Sequence, residues 1–123
     1  MGVSFSEVMG KQKDEQAREQ LKEGMKKIEE QGKKLSETRT QEELQKYAAA
    51  VAAFAAAAGF LGKNLEERRG FNRRGKEEIG KISGEVYKKL LDLKKAVRAK
   101  EKKGLDILNM VGEIKGLLER IYA

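Results

Sequence analysis

The chain has 123 residues, with 27 Lys and Arg against 20 Asp and Glu, a net charge of +7, and no Pro, Trp, Cys or His. That length accommodates one domain, 1–123, and 39% hydrophobic residues supply one core despite 38% charged residues. The missing Cys and His exclude a disulfide framework, thiolate chemistry, the usual triad base and His-bearing zinc sites, and no Gly-rich phosphate loop or EF-hand loop is present, so a non-enzymatic protein without cofactor or metal is expected.

Periodicity predicts four helices and no persistent strand. Ser4 and Glu7 have capping-box spacing and Phe5, Val8 and Met9 are apolar, but Gly10 interrupts them. Residues 1–12 are therefore expected to form a frayed tail or a short docking turn. Leu21, Met25, Ile28, Gly32 and Leu35 then step by 4, 3, 4 and 3, the spacing of one helical stripe. Thr40 with Glu43 predicts a capping box before a second helix that carries Leu44, Tyr47, Val51, Phe54, Ala58 and Leu61. Gly59 and Gly62 are the expected stops, Asn64 with Glu67 a cap for a short turn, and Gly70 and Asn72 the entry to a third helix. Ile79, Ile82, Val86, Leu90, Leu93 and Val97 form its stripe, and Gly104 separates it from a fourth carrying Ile107, Val111, Ile114, Leu118 and Ile121. The expected fold class is all-α: a four-helix bundle, up-and-down or a close variant, with long first and third helices.

Three features rise above that background. Nine alanines lie between Tyr47 and Gly59, leaving the second helix without a polar face; this predicts a self-association or partner surface on Ala48–Ala58, against the plainer reading of an Ala-rich helix former. Gly80 and Gly84, and Gly112 and Gly116, are spaced four apart inside predicted helices. Each costs about 1 kcal/mol relative to Ala, and close helix–helix packing is the expected compensation. Finally, residues 63–104 carry 15 basic and 7 acidic side chains, so the basic excess of the chain belongs to one segment.

That segment contains Arg68, Arg69, Arg73, Arg74 and Lys76 around Gly70 and Phe71, followed by Lys81, Lys88, Lys95 and Lys102 at seven-residue intervals. Guanidinium forks beside free helix-start amides suit an anion, and a basic stripe beyond them suits a phosphate backbone. The competing reading is a solvated helix face laced with Glu77–Lys81 and Glu85–Lys89 pairs, with Arg68 and Arg69 capping a helix end and Phe71 closing the bundle. The longest uncharged run, the 16 residues between Lys46 and Lys63, is mostly Ala. It would extend about 24 Å as a helix, short of a bilayer core of about 30 Å. No basic helix with an exposed aromatic edge is evident, so no membrane role is expected, and without a secretory signal the expected location is cytoplasmic.

Two stretches carry a resemblance. Arg69-Gly70-Phe71-Asn72-Arg73-Arg74-Gly75 is one, and the run from Lys102-Lys103-Gly104-Leu105-Asp106-Ile107-Leu108 through Gly112-Glu113-Ile114-Lys115-Gly116-Leu117-Leu118 is the other. With Gln31-Gly32-Lys33-Lys34-Leu35, Arg39-Thr40 and Tyr47, they resemble the YaaR-like family of bacterial proteins, a domain of unknown function, from about Phe5 to Tyr122. The resemblance implies a small helical bacterial protein with a four-helix bundle fold, and no activity, cofactor or functional residue. The near-continuous Ala of residues 48–58 departs from the more charged outer face of that family's second helix. The favoured expectation is a helical protein-interaction module with a protein partner; the alternative is nucleic-acid or polyanion binding through residues 68–76 and the third helix.

Overall fold

The computed structural model describes residues 5–69, 73–99 and 103–122, with side chains described for 12–13, 15–59, 77–99 and 103–121. Four helices follow one another: α1 (Phe5–Thr38), α2 (Gln41–Arg69), α3 (Arg73–Ala99) and α4 (Gly104–Tyr122). Among the described residues there is no strand. Each helix packs against its neighbours in sequence, and α4 closes the ring on α1, which gives an up-and-down four-helix bundle.

The stripes read from the sequence converge on one core. Leu21, Ile28, Val51, Phe54, Ile82, Val86, Leu93, Val111, Ile114 and Leu118 are all buried, and Tyr47, Leu35 and Ile107 join them. Thr40 caps α2: its carbonyl accepts from the Leu44 amide at 3.0 Å and its hydroxyl from the Glu43 amide at 3.3 Å. The α1–α2 connection is short because Arg39 takes the left-handed conformation, φ 53°, and its amide donates to the Leu35 carbonyl at 2.7 Å. At the start of α4, Asp106 Oδ2 accepts from the Lys103 amide at 3.0 Å while the Ile107 amide donates to the Lys103 carbonyl at 3.1 Å.

Several expectations are corrected. The chain is helical from Phe5, so residues 5–12 form neither a tail nor a turn; Ser4 lies outside the described residues. Glu, Gln and Lys dominate after Gly10, and nothing there stops a helix. Gly59 and Gly62 do not end α2, which continues through Asn64 and Glu67 to Arg69 and makes the second helix longer than the third. The surrounding alanines and the following Leu-Glu-Glu-Arg-Arg run are strong helix formers, and two glycines do not outweigh them. The break falls instead between Arg69 and Arg73; Gly70, Phe71 and Asn72 lie outside the described residues.

The glycines also differ from expectation. Gly80, Gly84, Gly112 and Gly116 are exposed, and a Cβ built on any of them would meet nothing within 4 Å. They support no close helix approach. The tight approaches lie elsewhere. A Cβ on Gly32 would come 3.2 Å from Val111 Cγ2, and one on Gly104 would come 2.5 Å from the Ser36 carbonyl oxygen. Glycine at these two positions lets α4 seat closely on α1.

Candidate functional site

Lys81, Lys88 and Lys95 are exposed on α3, as their spacing predicts. Arg68 and Arg69 end α2, while Arg73, Arg74 and Lys76 begin α3; the side chains of these five lie outside the described residues, as does Lys102. The lysine stripe does not stand alone. Glu78, Glu85 and Asp92 also recur every seven residues, so each lysine has a carboxylate three positions before it. Over residues 77–99 there are six basic and four acidic side chains, whereas 63–76 carry six basic and two acidic. Positive charge thus concentrates toward the α2–α3 connection and thins along the helix.

Two ion pairs join α3 to α4. Lys89 Nζ donates to Glu113 Oε2 at 2.7 Å, and Arg120 lies 3.9 Å from Glu78. The hydrogen bond and charge of Glu113 hold the Lys89 ammonium above its ordinary pKa, with smaller contributions from Asp92 and Glu85 on the same flank. The expected Glu85–Lys89 ion pair is therefore replaced by a bond between helices, because Lys89 sits where α4 can reach it.

The face of α3 turned away from its core stripe carries a short exposed apolar row. Gly80, Gly84, Tyr87 and Leu91 step by 4, 3 and 4, so they share one face. All four are exposed, Tyr87 to 64% and Leu91 to 39%. On α2, Phe54 and Tyr47 face Gly24 and Gly32 of α1, and Ala48, Ala52, Ala55 and Gly59, again stepping by 4, 3 and 4, share another face of the helix. Ala52, Ala55 and Gly59 are exposed, as are Ala49, Ala53 and Ala56 further round. Among the described residues α2 and α3 form the least extensive of the four interhelical interfaces.

The residues around this face are basic. Lys88, Lys94, Lys95 and Arg98 are exposed and have no ion-pair partner among the described residues. No charged residue lies on α2 between Lys46 and Lys63. Sequence reading missed Tyr87 and Leu91, although the signal was there: both lie off the Ile82–Val86–Leu93 stripe. The expectation of no basic helix with an exposed aromatic edge is likewise corrected by Tyr87, which stands among these lysines.

The concavities described lie elsewhere. One of about 470 Å³ at the α1–α2 turn is lined by Thr38, Arg39, Thr40, Gln41, Ala96, Val97 and Ile107. Another of about 330 Å³ runs between α1 and α4 beside Gly32, Leu108 and Gly112, crossed by the Lys115–Glu29 bond of 2.8 Å. Tyr47 is fully buried, and its hydroxyl has no hydrogen-bond partner. Burial alone holds that phenol well above its ordinary pKa. Among the described residues no group of three or more Asp or Glu is placed to hold a metal ion, and no helix is long and apolar enough to cross a membrane.

Comparison with known proteins covers the whole chain. The profile of a family described as "Protein of unknown function (DUF327)" matches residues 2–122. The uncharacterized protein YaaR of Bacillus subtilis (strain 168) is 30% identical over 120 residues, 98% of this chain and 82% of that protein. The crystal structure of the uncharacterized protein BH1478 from Bacillus halodurans is 66% identical, with a TM-score of 0.87 over 99% of this chain and 100% of that one. Moevan, described as a designed granulopoietic protein made by topological rescaffolding, is 50% identical, with a TM-score of 0.82 over 100% of this chain and 98% of its own.

Proposed function

This chain belongs to the DUF327 family of proteins of unknown function, and on that premise we propose that it is a non-enzymatic helical interaction module of the bacterial cytoplasm that docks a protein partner on the α2–α3 face. One observation carries the reading. Tyr87 and Leu91 stand exposed on α3, and Ala52, Ala55 and Gly59 on α2, the two helices that share the least extensive interface among the described residues. Tyrosine is enriched at protein interfaces, and small residues let a partner backbone approach.

The test is capture from lysate with wild type and Tyr87→Glu side by side, each with and without nuclease. A nuclease-resistant partner held by wild type and released by Tyr87→Glu supports the reading. Equal capture by both proteins removes this face from it.

The second reading is polyanion binding through Arg68, Arg69, Arg73, Arg74, Lys76, Lys81, Lys88 and Lys95, favoured by the net positive charge of residues 63–76. The carboxylates interleaved along α3 weigh against a continuous phosphate track. Self-association through Ala48–Ala58 is a third use of the same alanine surface, and sedimentation of the wild type across a concentration series tests it.

A further inference from the structure

We propose that the cavity at the α1–α2 turn is a binding site for a small ionised carboxylic acid carried on an apolar body. The site is separate from the α2–α3 face and does not depend on a protein docking there.

The cavity of about 470 Å³ is within the range of small-molecule sites. Its two sides differ in kind. Ala96 and Val97 near the end of α3 and Ile107 near the start of α4 are buried and form the apolar side. Thr38, Arg39, Thr40 and Gln41 are exposed and form the polar side. The turn that presents them is fixed from within, because the Thr40 hydroxyl caps α2 and the Arg39 amide donates to the Leu35 carbonyl at 2.7 Å.

The polar side is rich in donors. Thr40 Oγ1 accepts from the Glu43 amide at 3.3 Å and lies 3.4 Å from Thr38 Oγ1. Whichever hydroxyl donates to the other, one proton is left to offer a ligand. Gln41 adds a carboxamide N–H, and the Arg39 guanidinium has donors enough to hold a ligand oxygen alongside a protein acceptor. The lining contains this one cation and neither Asp nor Glu. A single planar fork matches the two oxygens of a carboxylate, whereas a phosphate dianion calls for further cations. An inorganic anion would also leave Ala96, Val97 and Ile107 without a role, so the acid carries an apolar body.

The backbone points the same way. Arg39 has φ 53°, where a helix end ordinarily places Gly or, less often, Asn. An arginine there is a burden to the turn, and its side chain lines the cavity. A cation past the end of α1 is also favoured by the helix dipole, so the stability of an Arg39 variant belongs to the test.

The experiment titrates the isotope-labelled full chain with phenylbutyrate, its uncharged amide, inorganic phosphate, and a short peptide ending in leucine with a free or an amidated terminus. Amide shifts are read by NMR for wild type, Arg39→Gly, Arg39→Lys and Ala96→Leu, and thermal melts verify folding. Phenylbutyrate is expected to shift residues 38–41, 96–97 and 107 saturably, with a Kd of about 1 mM or below. The amide should bind at least about tenfold more weakly, and Arg39→Gly should lose about tenfold for the acid while Tm holds or rises. Arg39→Lys should also weaken the acid, because it keeps the charge but loses the fork. Ala96→Leu fills the apolar side and should weaken acid and amide alike in a folded chain. A free-terminus peptide that binds more tightly than both phenylbutyrate and its amidated form supports the same chemistry and assigns its source to a chain terminus.

Equal binding of acid and amide, or displacement of phenylbutyrate by an equal concentration of phosphate, overturns the proposal. So does wild-type affinity in Arg39→Gly or in Ala96→Leu, or no saturable shift from phenylbutyrate or the free-terminus peptide at about 5 mM. If Arg39→Gly lowers Tm, Arg39→Lys decides: weakened binding in the folded lysine variant supports the site, and unchanged binding overturns it.

Discussion

Replacing the four solvent-facing glycines tests the account of this surface most directly. Gly80 and Gly84 lie within α3, Gly112 and Gly116 within α4, and a Cβ at any of them meets nothing within 4 Å. None has a packing role to lose, so each change to Ala recovers only the helix-propensity difference, about 0.8–1 kcal/mol. The four together should add roughly 3–4 kcal/mol, provided the contributions are independent. For a domain of this size that raises Tm by about 10–15 °C. Gly32→Ala and Gly104→Ala are the internal controls. The first puts a methyl 3.2 Å from Val111 Cγ2 and should gain little or lose stability; the second sets one 2.5 Å from the Ser36 carbonyl oxygen and must displace backbone. Gly104→Ala should cost about 1–3 kcal/mol. The assay is thermal and urea unfolding of single and combined variants, with sedimentation at two protein concentrations. Destabilisation by any of the four exposed changes would refute the open-surface geometry, and if the loss grew with concentration it would show that a second copy covers those glycines.

Ile114 is fully buried, so Ile114→Ala should cost about 2–5 kcal/mol in urea unfolding; a loss under about 0.5 would move it out of the core. Tyr47→Phe should be neutral or stabilise by up to about 1–3 kcal/mol, because it removes a buried hydroxyl without a partner. Burial raises the Tyr47 pKa above the unfolded value of 10.0. The folded state therefore keeps a proton that the unfolded state releases, and stability falls as pH rises above that value; Tyr47→Phe should reduce this alkaline loss in melts from neutral to high pH. If residues 68–76 bind polyanions, affinity for duplex DNA should fall with salt at a log–log slope of about −4 to −5, and replacing Arg73 and Arg74 by Ala should flatten it by about two. A slope unchanged in that folded double variant would remove them from any such site.

The core was legible because burial imposes a period: one face of each helix must be apolar, and Leu21, Phe54, Val86 and Ile114 mark those faces without reference to their neighbours. Helix ends were legible where a side chain or a shift of backbone enforces them, as at Thr40 and Gly104. They were misread at Gly59 and Gly62, where a local breaker had to be weighed against the formers on both sides. The compensation expected at Gly80 and Gly112 failed for a different reason. A four-residue glycine spacing shows which residues share a face but not whether another helix lies over it, which depends on how all four stripes close. Tyr87 and Leu91 were passed over for the same reason. Their distance from the core stripe was visible, but that no neighbouring helix covers them is a property of the assembled bundle.

The unequal interfaces make the molecule less like four equal staves than like a book. Its covers are the α1–α2 and α3–α4 hairpins; its spine is the contact of α4 with α1, drawn close at Gly32 and Gly104 and fastened by the Lys115–Glu29 bond. The covers meet again at α2 and α3, which follow one another in the chain and share the least extensive interface among the described residues. Sub-global opening favours the path that breaks the fewest buried contacts, so the pages are expected to part along α2 and α3, from the end away from their connection, while the spine holds.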